Sequence, residues 1–303
     1  MRVRRIVSSL APLLAFSLAA CGGGDEDTPA AEPTADGEGV CATTDAADDL
    51  LAEICEEGTL TVSTDAAYAP QSSLNGQTGE YEGFDIDVAT EIANRLGVEI
   101  AWETPPFEAI TAGGWNGRWD LSVGSITITN ERAEVLFFTE PYYYTPASVA
   151  VHEDNTDITD LSTDLDGKKI GACTGCSYVS FMKKTLEIEG FTFDFVIDDP
   201  EVVEYDTDTI ALQDLALGDG TRLDAVMTSL TTAQFFAADD PVKVVGDPVF
   251  YEPLAVGIDK DSDADPTTLF EAVDTIVGEM HSDGTLTKFS EKWYDGVDLS
   301  VQQ

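Results

Sequence analysis

The chain has 303 residues, with 15 Lys and Arg against 58 Asp and Glu and a formal net charge of −43. That balance excludes nucleic acid and anionic lipid headgroups as partners, since both require a basic footprint. The acids are scattered rather than blocked, which reads as a heavily solvated acidic surface suited to high salt, and by itself says nothing about a cationic ligand.

The chain opens Met1-Arg2-Val3-Arg4-Arg5, runs apolar from Leu10 to Ala20 except at Pro12 and Ser17, and reaches Leu18-Ala19-Ala20-Cys21. A basic start, a short apolar stretch and small residues before a cleavage point make residues 1–20 a secretory signal, too short to remain as a membrane span. Cys21 directly after Leu-Ala-Ala resembles the bacterial lipobox. That likeness implies that Cys21 is lipidated and becomes the first residue of the mature chain. From Cys21 to Gly39 there is no large apolar side chain, so this acidic stretch cannot bury enough surface to offset its ordering entropy and reads as a tether. Residues 21–57 are therefore taken as lipidated cysteine, linker and N-terminal segment. No later run is apolar enough to cross a membrane. The expected location is outside the cytoplasmic membrane, on its outer face, held there through the N-terminal lipid alone.

Cys41, Cys55, Cys173 and Cys176 remain. In an exported chain they suggest two disulfides, Cys41–Cys55 and Cys173–Cys176. A zinc site made of four thiolates and a redox-active C-x-x-C are the alternatives. With only two histidines and an oxidising location, disulfides are favoured and no metal is expected.

Taken in chain order, Thr59–Ser63 alternates as a strand. A helix follows over 84–96, with Asp85 placed to cap it and Gly97 to end it. Residues 98–102 read as a strand, 107–112 as a short helix and 121–123 as a short strand. Thr129 can cap a helix over 131–136. Residues 142–151 are extended and apolar, and 169–172 form a strand. A helix over 177–188 closes at Gly190, followed by a strand at 191–196 and a helix over 209–217 ending at Gly218. Then come a strand at 224–227, a helix at 230–238, a strand at 242–245, an extended stretch at 249–258, and helices near 267–281 and 286–294. Strands alternating with helices predict an α/β fold with largely parallel sheets. Two extended crossings, at about 143–151 and 249–256, bracket a block with its own βα units. The predicted organisation is a discontinuous first lobe (58–146 and 253–303), an inserted second lobe (147–252) and a two-strand hinge.

Several segments carry a family likeness. Thr64-Asp65-Ala66-Ala67-Tyr68-Ala69-Pro70, then Glu82-Gly83-Phe84-Asp85-Ile86-Asp87, resembles the opening of the bacterial extracellular solute-binding proteins of family 3, the amino-acid-binding proteins of ABC transporters. Ile126-Thr127-Ile128-Thr129-Asn130-Glu131-Arg132, Phe138-Thr139-Glu140-Pro141-Tyr142, and Gly284-Thr285-Leu286 with Lys292-Trp293 continue it in register from Gly58 to Gly296. In the Asp65–Pro70 segment the likeness is to members that bind lysine, arginine, ornithine or histidine. The resemblance implies two α/β lobes of the type II periplasmic-binding fold closing on a ligand, a transporter permease as partner, a monomer, and no cofactor.

Arg132 is the first site candidate. Its planar fork of donors matches a carboxylate bidentately, and it falls in the first turn of a predicted helix beside Ser125 and Thr127, which can supply hydroxyls. By the resemblance, Tyr68 and Phe107 flank the ligand's side chain, Asp65 meets a distal cation, and the loop Thr174-Gly175-Cys176-Ser177 presents the Cys176 amide and the Ser177 hydroxyl. Relatives usually carry Asp where this chain has Ser229, and tend to have Phe where it has Gln71. A serine cannot offset a buried ammonium, so a ligand without a free α-amine enters the field, with Asp206 and Asp208 as substitute acceptors. No Ser-His-Asp, Cys-His or metal-spaced set is visible, which argues against an enzyme. A dehydratase-like enzyme and a sensory lipoprotein on the same fold are the rival functions.

Overall fold

A computed structural model of the protein describes residues 39–302. The expected signal at 1–20, the expected lipidation site Cys21 and the expected linker up to residue 38 lie outside the described residues.

Two short helices come first, α1 (Val40–Thr43) and α2 (Leu50–Glu57). Cys41 and Cys55 bridge them with Cα atoms 5.3 Å apart. The Asp49 side chain accepts the Ala52 N–H and caps α2, satisfying one of the donors a helix start leaves open. Leu50, Leu51 and Ile54 enter the same core as the strands that follow. Helix α2 therefore packs with the first lobe, although the sequence had placed the lobe's start at residue 58.

The chain continues through β1 (Thr59–Ser63), β2 (Ala67–Tyr68), β3 (Ser72–Leu74), β4 (Tyr81–Glu82), α3 (Phe84–Leu96), β5 (Glu99–Glu103), α4 (Phe107–Thr111), β6 (Leu121–Thr127), α5 (Asn130–Val135) and β7 (Leu136–Phe138). Next come β8 (Tyr143–His152), β9 (Lys169–Cys173), α6 (Ser177–Met182), β10 (Glu201–Tyr205), α7 (Asp208–Leu215), β11 (Ala225–Ser229), α8 (Leu230–Ala237) and β12 (Val242–Asp259). Helices α9 (Thr267–Ser282) and α10 (Thr285–Trp293) finish it.

The large sheet runs β10-β9-β11-β8-β12-β6-β1-β5, with β7 also on β12, while β2, β3 and β4 form a small separate sheet. β1 lies parallel to β5 and β6, and β9 parallel to β10 and β11. Between these two parallel blocks stand β8 and β12, antiparallel to each other and to their outer neighbours. They are the only strands among those described that join the two blocks. One hydrophobic core gathers residues from 50 to 143 and from 254 to 299, and two further clusters draw on residues 147 to 250. The α/β fold is thus two-lobed, with a two-strand hinge at β8 and β12.

Four expectations are corrected. Gly83, not Asp85, is the N-cap of α3. Gly83 has φ 139, and a Cβ there would strike the Gln71 carbonyl, so only glycine fits. Asp85 instead sits fully buried in the first turn. Helix α6 stops at Met182 rather than near 188. Residues 191–196 are not a strand, because the edge of β9 is taken by Glu201–Tyr205. Phe193 and Phe195 serve packing instead, around Phe181 and Phe250, whose rings stack at 4.9 Å. The pieces at 242–245 and 249–258 are one strand, β12, with an irregularity between Val245 and Phe250.

Candidate functional site

The four arginines among the described residues have different fates. Arg95 pairs with Glu91 and Asp283, each at 2.8 Å. Arg222 pairs with Asp214 at 2.7 Å. Arg118 is exposed and stacks over Trp119 at 4.6 Å. Arg132 is 6% exposed and forms no ion pair within 4.0 Å among the described residues. The Thr129 hydroxyl accepts its backbone N–H and caps α5, fixing where the side chain begins. Its guanidinium donates from Nη1 to the Thr127 carbonyl and from Nη2 to the Gly175 carbonyl of the other lobe, each at 2.8 Å, and lies 5.2 Å from the Phe107 ring centre. Burial pulls its pKa down to about 10, against the opposing pull of Glu252, so it remains a cation at neutral pH.

Around it is a cavity of about 450 Å³, open solvent at its mouth included. Asp65, Tyr68, Phe107, Ser125, Thr127, Arg132, Cys176 and Ser177 all line it. The structure thus brings together eight of the nine residues singled out from the sequence. It also shows what each is already doing. The Asp65 carboxylate accepts the Ala67 N–H at 2.7 Å. Tyr68 meets the Tyr178 hydroxyl at 3.4 Å across the lobes. Ser125 stands at φ 53, a strained position for a side-chain-bearing residue. Its hydroxyl donates to Asp85 at 2.8 Å and lies 2.6 Å from the Tyr143 hydroxyl, while its N–H donates to the Tyr142 oxygen at 3.0 Å. Tyr142 in turn donates to Asp85 at 2.8 Å. This buried network over-determines the strained position within β6, and burial lifts the Asp85 carboxyl to about 7.

Thr127 and Ser177 both donate to one oxygen of Glu252, each at 2.6 Å. The Cys176 N–H, a candidate ligand donor, goes to the Cys173 carbonyl at 3.2 Å. Cys173 and Cys176 are bridged, Cα atoms 5.5 Å apart, on the strand-to-helix turn that carries Gly175 at φ 76. Both pairs of cysteines therefore form disulfides, and neither the zinc nor the free-dithiol alternative describes them.

Ser229 is the ninth residue, and it does not line the cavity. Its hydroxyl caps α8 by accepting the Thr232 N–H at 3.2 Å and the Gln71 amide at 3.4 Å, and donates to the Thr232 hydroxyl at 2.9 Å. Gln71, fully buried, also donates to Thr231 at 2.6 Å and accepts from Thr232 at 3.2 Å. The two departures noted in the sequence are therefore one inter-lobe contact.

Sequence reasoning missed Glu252 and Tyr178. Glu252 sits in a Tyr-Glu-Pro triplet among many acids, with no local signal that it is 1% exposed. Tyr178 has only its helix position next to the candidate Ser177 to recommend it. A wider depression of about 1540 Å³, lined by Tyr144, Pro146, Phe235 and Tyr251 among others, contains neither an arginine nor a buried carboxylate. The one buried arginine among the described residues lines the smaller cavity instead. No helix among the described residues is long and apolar enough to cross a membrane.

Comparison with known proteins agrees with this geometry. Residues 60–296 match the bacterial extracellular solute-binding proteins, family 3. The probable amino-acid-binding protein YxeM of Bacillus subtilis (strain 168) is 32% identical over 233 residues, covering 75% of this chain and 81% of the relative. Holo ArgBP from T. maritima superposes with a TM-score of 0.66 at 27% identity, over 80% of this chain and 99% of that one. The ancestral amino acid-binding protein AncCDT-1, a precursor of cyclohexadienyl dehydratase, gives 0.68 at 29% identity, over 80% and 99%. With its two lobes, its hinge and its matched span, the chain belongs to the bacterial extracellular solute-binding proteins of family 3.

Proposed function

We propose that this protein is the extracytoplasmic, lipid-anchored binding component of an ABC importer, and that it captures an amino acid or related small carboxylate between its lobes. Arg132 carries the proposal. It is the one buried arginine among the described residues, its fork reaches both lobes, and it sits in the cavity between them. A ligand carboxylate would take the guanidinium donors bidentately, flanked by Phe107 and Tyr68. The Ser177 turn and Asp208 would meet it from the second lobe. Closure around the ligand supplies the form that a permease recognises.

The test uses residues 22–303, expressed without lipid in high salt and heated against a panel. The panel holds the twenty standard amino acids, ornithine, cystine and their des-amino counterparts. A ligand at 100 times its dissociation constant adds about 2.7 kcal/mol. At least one panel member should stabilise the wild type, and none should stabilise Arg132→Ala. Binding that ignores Arg132 would move the site elsewhere.

A catalytic reading has two observations behind it. Burial raises the carboxyls of Glu252 and Asp208, and AncCDT-1 is named as the precursor of a dehydratase. Proton NMR of a cyclic dienyl acid with the protein would show dehydration directly. An unchanged spectrum leaves binding as the function.

A further inference from the structure

The two disulfides stand in different places. Cys41–Cys55 joins α1 to α2 across a separation of 14 residues, packs Cys55 against the first-lobe core, and has no part in the cavity lining. Cys173 and Cys176 are three apart, at the end of β9 and at the N-cap of α6. Both line the Arg132 cavity, 7% and 8% exposed.

This second bridge straddles the residue that meets the other lobe. The Gly175 carbonyl accepts Arg132 Nη2 at 2.8 Å, and a Cβ on Gly175 would stand 3.5 Å from the Glu108 Cβ of α4. The ends of the turn are anchored in their own lobe. The Cys173 N–H donates to Asp208 at 3.0 Å, the Thr174 N–H to the Tyr205 carbonyl at 2.8 Å, and the Cys176 N–H to the Cys173 carbonyl at 3.2 Å. Among the described residues no hydrogen bond from its own lobe holds Gly175. Its position is set by its neighbours and by the covalent ring around it. A ring that removes freedom from a binding turn lowers the ordering cost when the lobes close.

We infer that the Cys173–Cys176 bridge is a site of thiol–disulfide exchange reached through the ligand cavity, and that its reduction weakens capture by loosening the Gly175 carbonyl opposite Arg132. The inference rests on the proposed function, because ligand and thiol share one cavity. The co-reactant is a small neutral thiol or dithiol. A space of about 450 Å³ admits nothing larger, and a net charge of −43 repels anionic thiols. The thiolate of a dithiol attacks one bridge sulfur, the S–S bond breaks and a mixed disulfide forms. The second thiol then displaces the cysteine. Cys173 and Cys176 gain two electrons and two protons, and the dithiol is oxidised to its own disulfide.

The coupling is reciprocal. If reduction weakens ligand binding by some factor, the bound ligand must disfavour reduction by the same factor. The ligand also occupies the route by which the thiol arrives.

The experiment uses residues 22–303, whose cysteines are Cys41, Cys55, Cys173 and Cys176 alone. Cys41→Ser/Cys55→Ser leaves the cavity bridge as the sole disulfide, and Cys173→Ser/Cys176→Ser leaves the other. Reduction by dithiothreitol is followed by alkylation and mass spectrometry. Affinity for the panel amino acid with the largest thermal shift is measured by anaerobic calorimetry. Oxidised Cys41→Ser/Cys55→Ser should bind within about twofold of the wild type, weaken on the order of tenfold when reduced, and recover on reoxidation. Cys173→Ser/Cys176→Ser should start at the weakened affinity and ignore dithiothreitol. Ligand at 100 times its dissociation constant leaves about one molecule in a hundred free, and should slow reduction of the cavity bridge by at least about tenfold. Equal affinity in the two redox states, or a reduction rate that ligand leaves unchanged, overturns the inference and leaves solute binding standing. So does a reduced protein that loses its cooperative melt, since the bridge is then a staple of the fold. If no panel amino acid binds in an Arg132-dependent way, the proposed function itself fails and the inference falls with it.

Discussion

The interior of the first lobe and the interface between the lobes are built from different materials. In the lobe, Phe84 packs against Tyr142, Tyr143 and Tyr294 at ring distances of 5.0 to 5.8 Å, inside a core of aliphatic side chains. Across the lobes the contacts are mainly hydrogen bonds, Arg132 to the Gly175 carbonyl, Gln71 to Ser229 and Thr231, Thr209 to the Ala67 carbonyl and Tyr68 beside Tyr178, with Phe107 packed against the second-lobe cluster. Apolar burial is lost outright when a core opens. A hydrogen bond between lobes is exchanged for one to water, at a net cost of only about 0.5–1.5 kcal/mol. The lobes are thus made to hold and the interface to part, as a binding protein that admits and releases a ligand requires.

The sharpest way to break this contrast is in the core. Phe84 is completely buried, and Phe84→Ala should cost about 3–5 kcal/mol of global stability, read from denaturant midpoints. Ligand affinity in the protein that remains folded should change little. The reverse split is expected at Gln71. Its amide makes three inter-lobe hydrogen bonds, so Gln71→Ala should weaken ligand binding roughly tenfold, about 1.4 kcal/mol. The denaturant midpoint of the unliganded protein should barely move. Equal losses in both measurements would mean that the interface is structural.

The smallest effect concerns pH. The Asp85 carboxyl is raised from 3.8 to about 7, chiefly by burial, with the Tyr142 and Ser125 hydrogen bonds opposing. A folded-state pKa above the unfolded value means that the folded protein binds more protons between about pH 4 and 7. Stability should therefore rise as pH falls from 7 toward 5. Asp85→Asn removes that carboxyl, and the slope of stability against pH in this window should become shallower. An unchanged slope would show that the general acidity of the chain, rather than this group, sets it.

Much of this was legible in the sequence, for reasons that differ by residue. Arg132 stood out because a helix cap at Thr129 and a preceding strand fix it locally, and because arginine is scarce in so acidic a chain. The hinge was readable because 143–151 and 249–256 are long and apolar. What the sequence could not carry was selection among similar residues by long-range contact. Phe191–Val196 alternates like a strand, but whether it pairs depends on who reaches the edge of β9 first, and Glu201–Tyr205 does. Asp85 reads as a cap because its spacing is right, while Gly83 takes the cap for a backbone reason set by Gln71. Glu252 and Asp208 are two acids among 58. Only the fold shows that both are buried, Glu252 within reach of the Arg132 charge and Asp208 in the lining of the same cavity. Ser229 was read as facing the ligand, and nothing local to it signals the hydrogen bonds its hydroxyl makes to Gln71 and Thr232.

The central claim is that two stable lobes close over a ligand at Arg132. Hydrogen exchange, followed by mass spectrometry with and without the stabilising amino acid, tests it most directly. The account predicts added protection confined to residues 64–71, 124–132, 173–177, 206–209 and 228–232, with the core helices α3 and α9 unchanged, and no added protection in Arg132→Ala. Protection that instead spreads evenly through both cores, or gathers around Phe235 and Tyr251 while these segments stay as they were, would contradict it.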